Sequence, residues 1–210
     1  MRHSRDLIRS GIFAGSLWAF SEVAAGAGLR AAALPLRSTL LTGIAVFILF
    51  AAFAYTGRVR TLILASLTAV CGRIVLTLLT GAQISLTNGL LAVIMTGFCT
   101  AGALFALQVK NNPSFPFIGF TAATAVLLSG TLFYSAGLHV DPCPYLMQMS
   151  PLMFLVRETL VWALLSAVSA PMGFAAGRAF LNAKHPGRFP IWRLTAGFWL
   201  GCALVIRFAG

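Results

Sequence analysis

Three stretches of this sequence, 38–56, 84–109 and 117–138, contain no charged residue. A helix needs about 20 mostly apolar residues to cross a bilayer, so each is long enough to do so. A soluble core of this size has no use for so much apolar chain. Charged residues make up only 9% of the 210 positions, against roughly 25% in an ordinary soluble domain. The expected fold is therefore all-α: one polytopic transmembrane helical bundle of six to seven spans, with residues 1–210 forming a single integral membrane domain.

The spans fall at approximately 7–29, 38–56, 61–80, 84–108, 117–138 and 152–177, with a shorter seventh at 192–208 between Arg193 and Arg207. Turn chemistry marks the breaks: Leu34-Pro35, Gly57-Arg58, Asn111-Asn112-Pro113 with Pro116, Asp141-Pro142-Cys143-Pro144, and Pro186-Gly187 with Pro190. Arg2, Arg5 and Arg9 ahead of an apolar run resemble a signal peptide. That run continues to about Leu29 and carries Glu22, so a retained first helix is expected.

Fifteen Lys or Arg face four acids, Asp6, Glu22, Asp141 and Glu158, for a formal charge of +11. No basic stripe interleaved with aromatics accompanies the excess, so nucleic acid is not an expected partner. Basic residues also collect in cytoplasmic loops. With the N-terminus inside, Arg2, Arg5, Arg9, Arg58, Arg60, Lys110, Arg178, Lys184, Arg188 and Arg193 are inner, whereas Arg30, Arg37 and Arg207 are outer. This bias predicts a multi-pass protein of the cell's inner (cytoplasmic) membrane with a cytoplasmic N-terminus.

Ionisable groups inside a span are costly and mark functional sites by default. Glu22 lies fifteen residues past Leu7, roughly 22 Å from the inner end at 1.5 Å per residue. Arg73 enters from the same side and lies roughly 18 Å deep. Arg157 and Glu158 begin the sixth span from outside. All four fall in the outer half of the membrane, and Glu22, Arg73, Arg157 and Glu158 are the candidate substrate-binding residues. One reading is an outward polar cavity for a small molecule. The other is a structural Glu22–Arg73 pair, with Arg157 and Glu158 near the headgroups.

Gly11, Gly15 and Ala19 make a smooth stripe of the small-xxx-small kind. Internal packing and the docking of a partner's helix both use such a stripe. His139, Asp141 and Cys143, followed by Met147, Met149 and Met153, are weak metal candidates because their spacing fits no ligand motif. Cys71, Cys99 and Cys202 lie in apolar segments, and no CxxC pair occurs. No GxxxxGK[ST], HExxH or GxSxG motif is present, so no enzymatic activity and no cofactor are expected, and ATP-driven work requires another subunit.

Gly11 to Ala19, the run "SLWAFSEVAAGAGLRAAALP" with Glu22 and Pro35, and the run "GRVRTLILASLTAVCGRIV" with Arg73 together resemble the substrate-binding S-component-like proteins of energy-coupling-factor transporters. The resemblance covers roughly residues 7–100. It implies about six helices and capture of a vitamin or metal ion from outside. It also implies partners: a transmembrane coupling subunit docking at Gly11, Gly15 and Ala19, and two ATPase subunits. Cobalt and nickel members carry an N-terminal Met-His segment outside the membrane. Met1-Arg2-His3 is expected inside, so no such ligand set is expected here. The expected function is a substrate-capturing subunit for uptake of a vitamin-like molecule or ion. The alternative is a non-catalytic structural or assembly subunit of a membrane complex.

Overall fold

The structure is a computed structural model and describes residues 2–31, 37–80, 86–107 and 113–182. The seventh span expected at 192–208 lies outside the described residues. Every described regular element is helical, and six helices are long and apolar enough to cross a membrane. The protein is an all-α, multi-pass transmembrane bundle.

The first span is continuous through α1 (Arg2–Phe20), a π-helical turn (Ser21–Ala25) and α2 (Gly26–Ala31). Spans two to five are α3 (Arg37–Thr56), α4 (Arg60–Thr80), α5 (Leu86–Ala106) and α6 (Phe115–Val140). A short α7 (Pro144–Met147) leads to the sixth span, built from α8 (Pro151–Phe154), a second π turn (Leu155–Thr159) and α9 (Leu160–Asn182). The last helix runs five residues beyond the expected 177. Ala179, Phe180 and Leu181 are compatible with helix after the apolar stretch closes at Arg178.

Local chemistry explains the ends. Gly57 adopts a φ of 65°, and its N–H returns to the Phe53 carbonyl at 2.7 Å, so a left-handed cap stops α3 before the tight turn into α4. Pro116 occupies the first turn of α6, where a missing N–H costs nothing. Ser150 caps α8 by accepting the Met153 N–H at 3.2 Å, with Pro151 next in the chain.

The spans close into a ring of contacts, α1–α4–α5–α6–α9–α3 and back to α1. Two neighbouring pairs approach with almost no side chain between them. Gly11 faces the Leu64 side chain, and a Cβ at Gly15 would collide with the Ala65 carbonyl oxygen, so α1 lies directly on α4. Gly173 and Gly177 bring α9 onto the Phe47 and Ala51 carbonyls of α3 in the same way. Both pairs use a four-residue repeat, the period that returns a helix to one face. Pro171 adds a third close approach. It leaves the Ala167 carbonyl without its usual i+4 donor, and Gly119 of α6 sits against that oxygen, where a Cβ would stand 2.6 Å away.

Trp18, Leu49, Phe50, Leu62, Leu104 and Ile118 fill the interior. Leu78, Phe105, Leu164 and Val168 are all more than 60% exposed. An apolar exterior of this kind belongs against lipid chains, which also explains why hydrophobicity alone does not drive these helices together.

Candidate functional site

The site begins with Glu22, carried on the first π turn. That turn adds one residue to the helical ring, and the Ser21 hydroxyl donates to the Trp18 carbonyl at 2.8 Å where the regular ladder is interrupted. Trp18, one helical turn earlier, donates its indole N–H to Glu22 Oε1 at 3.3 Å. Arg73 on α4 donates Nη1–H to Glu22 Oε2 at 2.8 Å. The Arg73 and Glu22 side chains are only 9% and 15% exposed. Ala19, Val23 and Leu76 form an apolar cluster on the same two helices. The pair therefore sits in a low-dielectric setting, where an unmatched charge would be costly.

α5 supplies the remaining wall. A Cβ at Gly89 would overlap the Arg73 guanidinium, so the glycine makes the space that the charge occupies. Arg73 Nε is buried without an acceptor, although a guanidinium offers five N–H donors in a planar fork. Asn88, the preceding residue, donates to the Asp141 carbonyl at 3.3 Å and leaves its own buried Oδ1 unpaired.

A second polar node lies at the same end of the bundle. Tyr145 of α7 donates to Glu158 Oε1 at 2.5 Å, and Ser38 of α3 donates to Glu158 Oε2 at 3.4 Å. Partial burial, this hydrogen bond and the Glu158 charge push the Tyr145 phenol above its ordinary pKa. Glu158 lies on the second π turn, so the two span carboxylates both sit where helical winding is irregular. π turns of this kind recur at functional sites.

The four residues expected to share a cavity thus separate into two nodes. Glu22 and Arg73 meet directly. Glu158 instead ties α7 to α3, and the neighbouring Arg157 is exposed and forms no ion pair with it.

The expectation of a partner-docking stripe at Gly11, Gly15 and Ala19 needs correction. All three are buried within the chain, and Gly11 and Gly15 are taken up by α4. The stripe is smooth because α4 packs on it. The weak metal candidates also fail to converge. His139 Nδ1 lies 2.7 Å from the Ser135 carbonyl oxygen of its own helix. Among the described residues, no three His, Cys, Asp or Glu side chains are grouped to hold a metal ion.

Sequence reasoning passed over Trp18, Gly89, Ser38 and Tyr145. Only Trp18 carried a signal, its i,i+4 spacing to Glu22. Comparison with protein-family models, curated proteins and solved structures finds no significant match to the chain.

Proposed function

We propose that this chain is a substrate-capturing membrane subunit for uptake of a small, vitamin-like molecule or ion. It resides in the cytoplasmic membrane with its N-terminus inside, and is energised by separate ATPase and coupling subunits. The observation that carries this reading is the Glu22–Arg73 pair, held on a π turn with a buried guanidinium N–H unused. Polar groups this deep are expensive in lipid, and a ligand that shares them is a physical reason for a chain to retain them. The resemblance of the first three spans to S-component-like proteins points the same way. Because α4 already covers Gly11, Gly15 and Ala19, a coupling subunit would dock on another face.

The direct 2.8 Å contact also favours a second reading, in which the pair only fastens α1 to α4 within an assembly subunit. Measuring thermal stability in detergent beside uptake in cells separates the two. A fastening pair loses about 3–5 kcal/mol when either partner is neutralised, because the survivor is left buried and unpaired. Glu22→Gln with Arg73→Gln then regains much of that loss with function intact. A capture site instead yields a double variant that folds and no longer takes up substrate. A stable double variant with normal uptake would reject the capture reading.

A further inference from the structure

The end of the bundle remote from Glu158 holds an open cavity of about 520 Å3 between α6 and α9. The two helices touch where Gly119 meets the Ala167 carbonyl, and the cavity lies where they part beyond that contact. Phe115 and Ile118 line it from the start of α6, and Phe174, Ala175, Arg178 and Asn182 from the last turns of α9. Its floor is apolar, because Ile118 and Phe174 are buried there, while Phe115 and Ala175 are exposed at its edge. One wall carries charge. The Arg178 guanidinium carbon stands 5.4 Å from the centre of the Phe174 ring, and Phe53 backs that ring at 6.4 Å. Stacking engages the face of a guanidinium, whereas its N–H donors lie along the edges of the plane. The surrounding charge has the same sign. Of the chain's four acids, Glu22, Asp141 and Glu158 lie toward the other end, which leaves Asp6 of α1 against Arg9, Arg58, Arg60 and Arg178. Ser114 starts α6 without a side-chain cap, so the positive end of that helix's dipole adds to this side.

We infer that this groove holds one anionic phospholipid, with its phosphate on Arg178 and the upper part of an acyl chain along Ile118 and Phe174. The last turn of a spanning helix reaches headgroup level, where basic pockets between helices meet lipid phosphates. Arginine's planar fork pairs with a phosphate through two parallel hydrogen bonds. A free phosphate would leave the apolar floor uncovered, and a zwitterionic lipid would bring a further cation to an end that is already positive. The groove is smaller than a whole lipid, so the rest of the chains continue into the bilayer. In the proposed orientation the lipid belongs to the cytoplasmic leaflet.

The test follows the melting temperature of the whole chain in neutral detergent, against dioleoylphosphatidylglycerol and against dioleoylphosphatidylcholine. The two lipids share their chains and differ in headgroup charge. Selective binding to the folded state raises the melting temperature with lipid concentration. The wild type is expected to rise with phosphatidylglycerol well beyond its response to phosphatidylcholine. Arg178→Gln is expected to bring the two responses together. Arg58→Gln removes the same charge from an exposed turn at the same end and is expected to keep the difference. Ala175→Trp fills the groove from an exposed position and is expected to abolish the phosphatidylglycerol response while melting cooperatively. It decides the matter alone if Arg178→Gln fails to fold. Equal responses to both lipids in the wild type overturn the inference, since the groove is then closed by other protein or indifferent to charge. Equal losses in Arg178→Gln and Arg58→Gln reduce the effect to diffuse attraction and overturn it as well. So does a full response in Ala175→Trp, which puts the lipid outside the groove. The titration does not depend on which end is cytoplasmic or on substrate capture, so its outcome stands apart from both.

Discussion

A single hydrogen atom at Gly89 decides where the Arg73 charge resides. Any side chain there would fill the volume of the guanidinium, so Gly89→Ala is expected to push Arg73 aside and strip Glu22 of its 2.8 Å partner. The loss should approach that of Arg73→Gln, about 3–5 kcal/mol, and the two substitutions together should cost far less than their sum. Thermal melts of the singles and the double check this, and simple additivity would show that Gly89 and Arg73 act separately. The sequence made half of this arrangement legible. The fixed rise of a helix places Glu22 and Arg73 at similar depth, because both spans enter from the same end. Nothing along the chain signalled Gly89, because its contact depends on which helix lies beside α4.

Glycine also governs the approach of whole helices. α1 meets α4 at Gly11 and Gly15, and α3 meets α9 at Gly173 and Gly177; carbonyl oxygens stand against Gly15, Gly173 and Gly177, and the Leu64 side chain stands against Gly11. Gly15→Leu and Gly173→Leu are each expected to destabilise the isolated chain by about 1–3 kcal/mol or more, the range for overfilling a close-packed interior. Detergent melts of the chain alone provide the measurement, since a face reserved for a partner would leave the monomer unchanged. The positions of the spans were readable because apolar length suffices to define them. Their neighbours were not. A soluble helix shows its inner face as an apolar stripe, whereas these helices are apolar on the lipid side as well, with Leu78, Phe105 and Leu164 exposed. The π turns were equally hidden, as no residue pattern separates "SEVAA" or "LVRET" from ordinary helix.

At the scale of the molecule, the proposed orientation turns the loop between α6 and α8 outward. Cys143 stands in that loop, partly exposed, while Cys99 is buried. In a variant retaining only Cys143, a membrane-impermeant maleimide added to intact cells is expected to label it; labelling only after lysis would invert the topology. The ring of spans also has unequal joints. At Gly15 of α1 against α4, and at Gly173 and Gly177 of α9 against α3, the backbones themselves approach, and at those points no long side chain lies between to change rotamer and take up strain. Each pair behaves as a stiff plank. α5 and α6 meet partly through the hydroxyls of Thr96 and Ser129, 3.2 Å apart, a joint of side chains rather than of backbone on backbone. Widening the bundle therefore parts the planks from one another before either splits. Arg73 and Glu22 belong to the same plank, so their bond travels with it, and the contact that lies across the seam is the seat of the Arg73 guanidinium against Gly89 of α5.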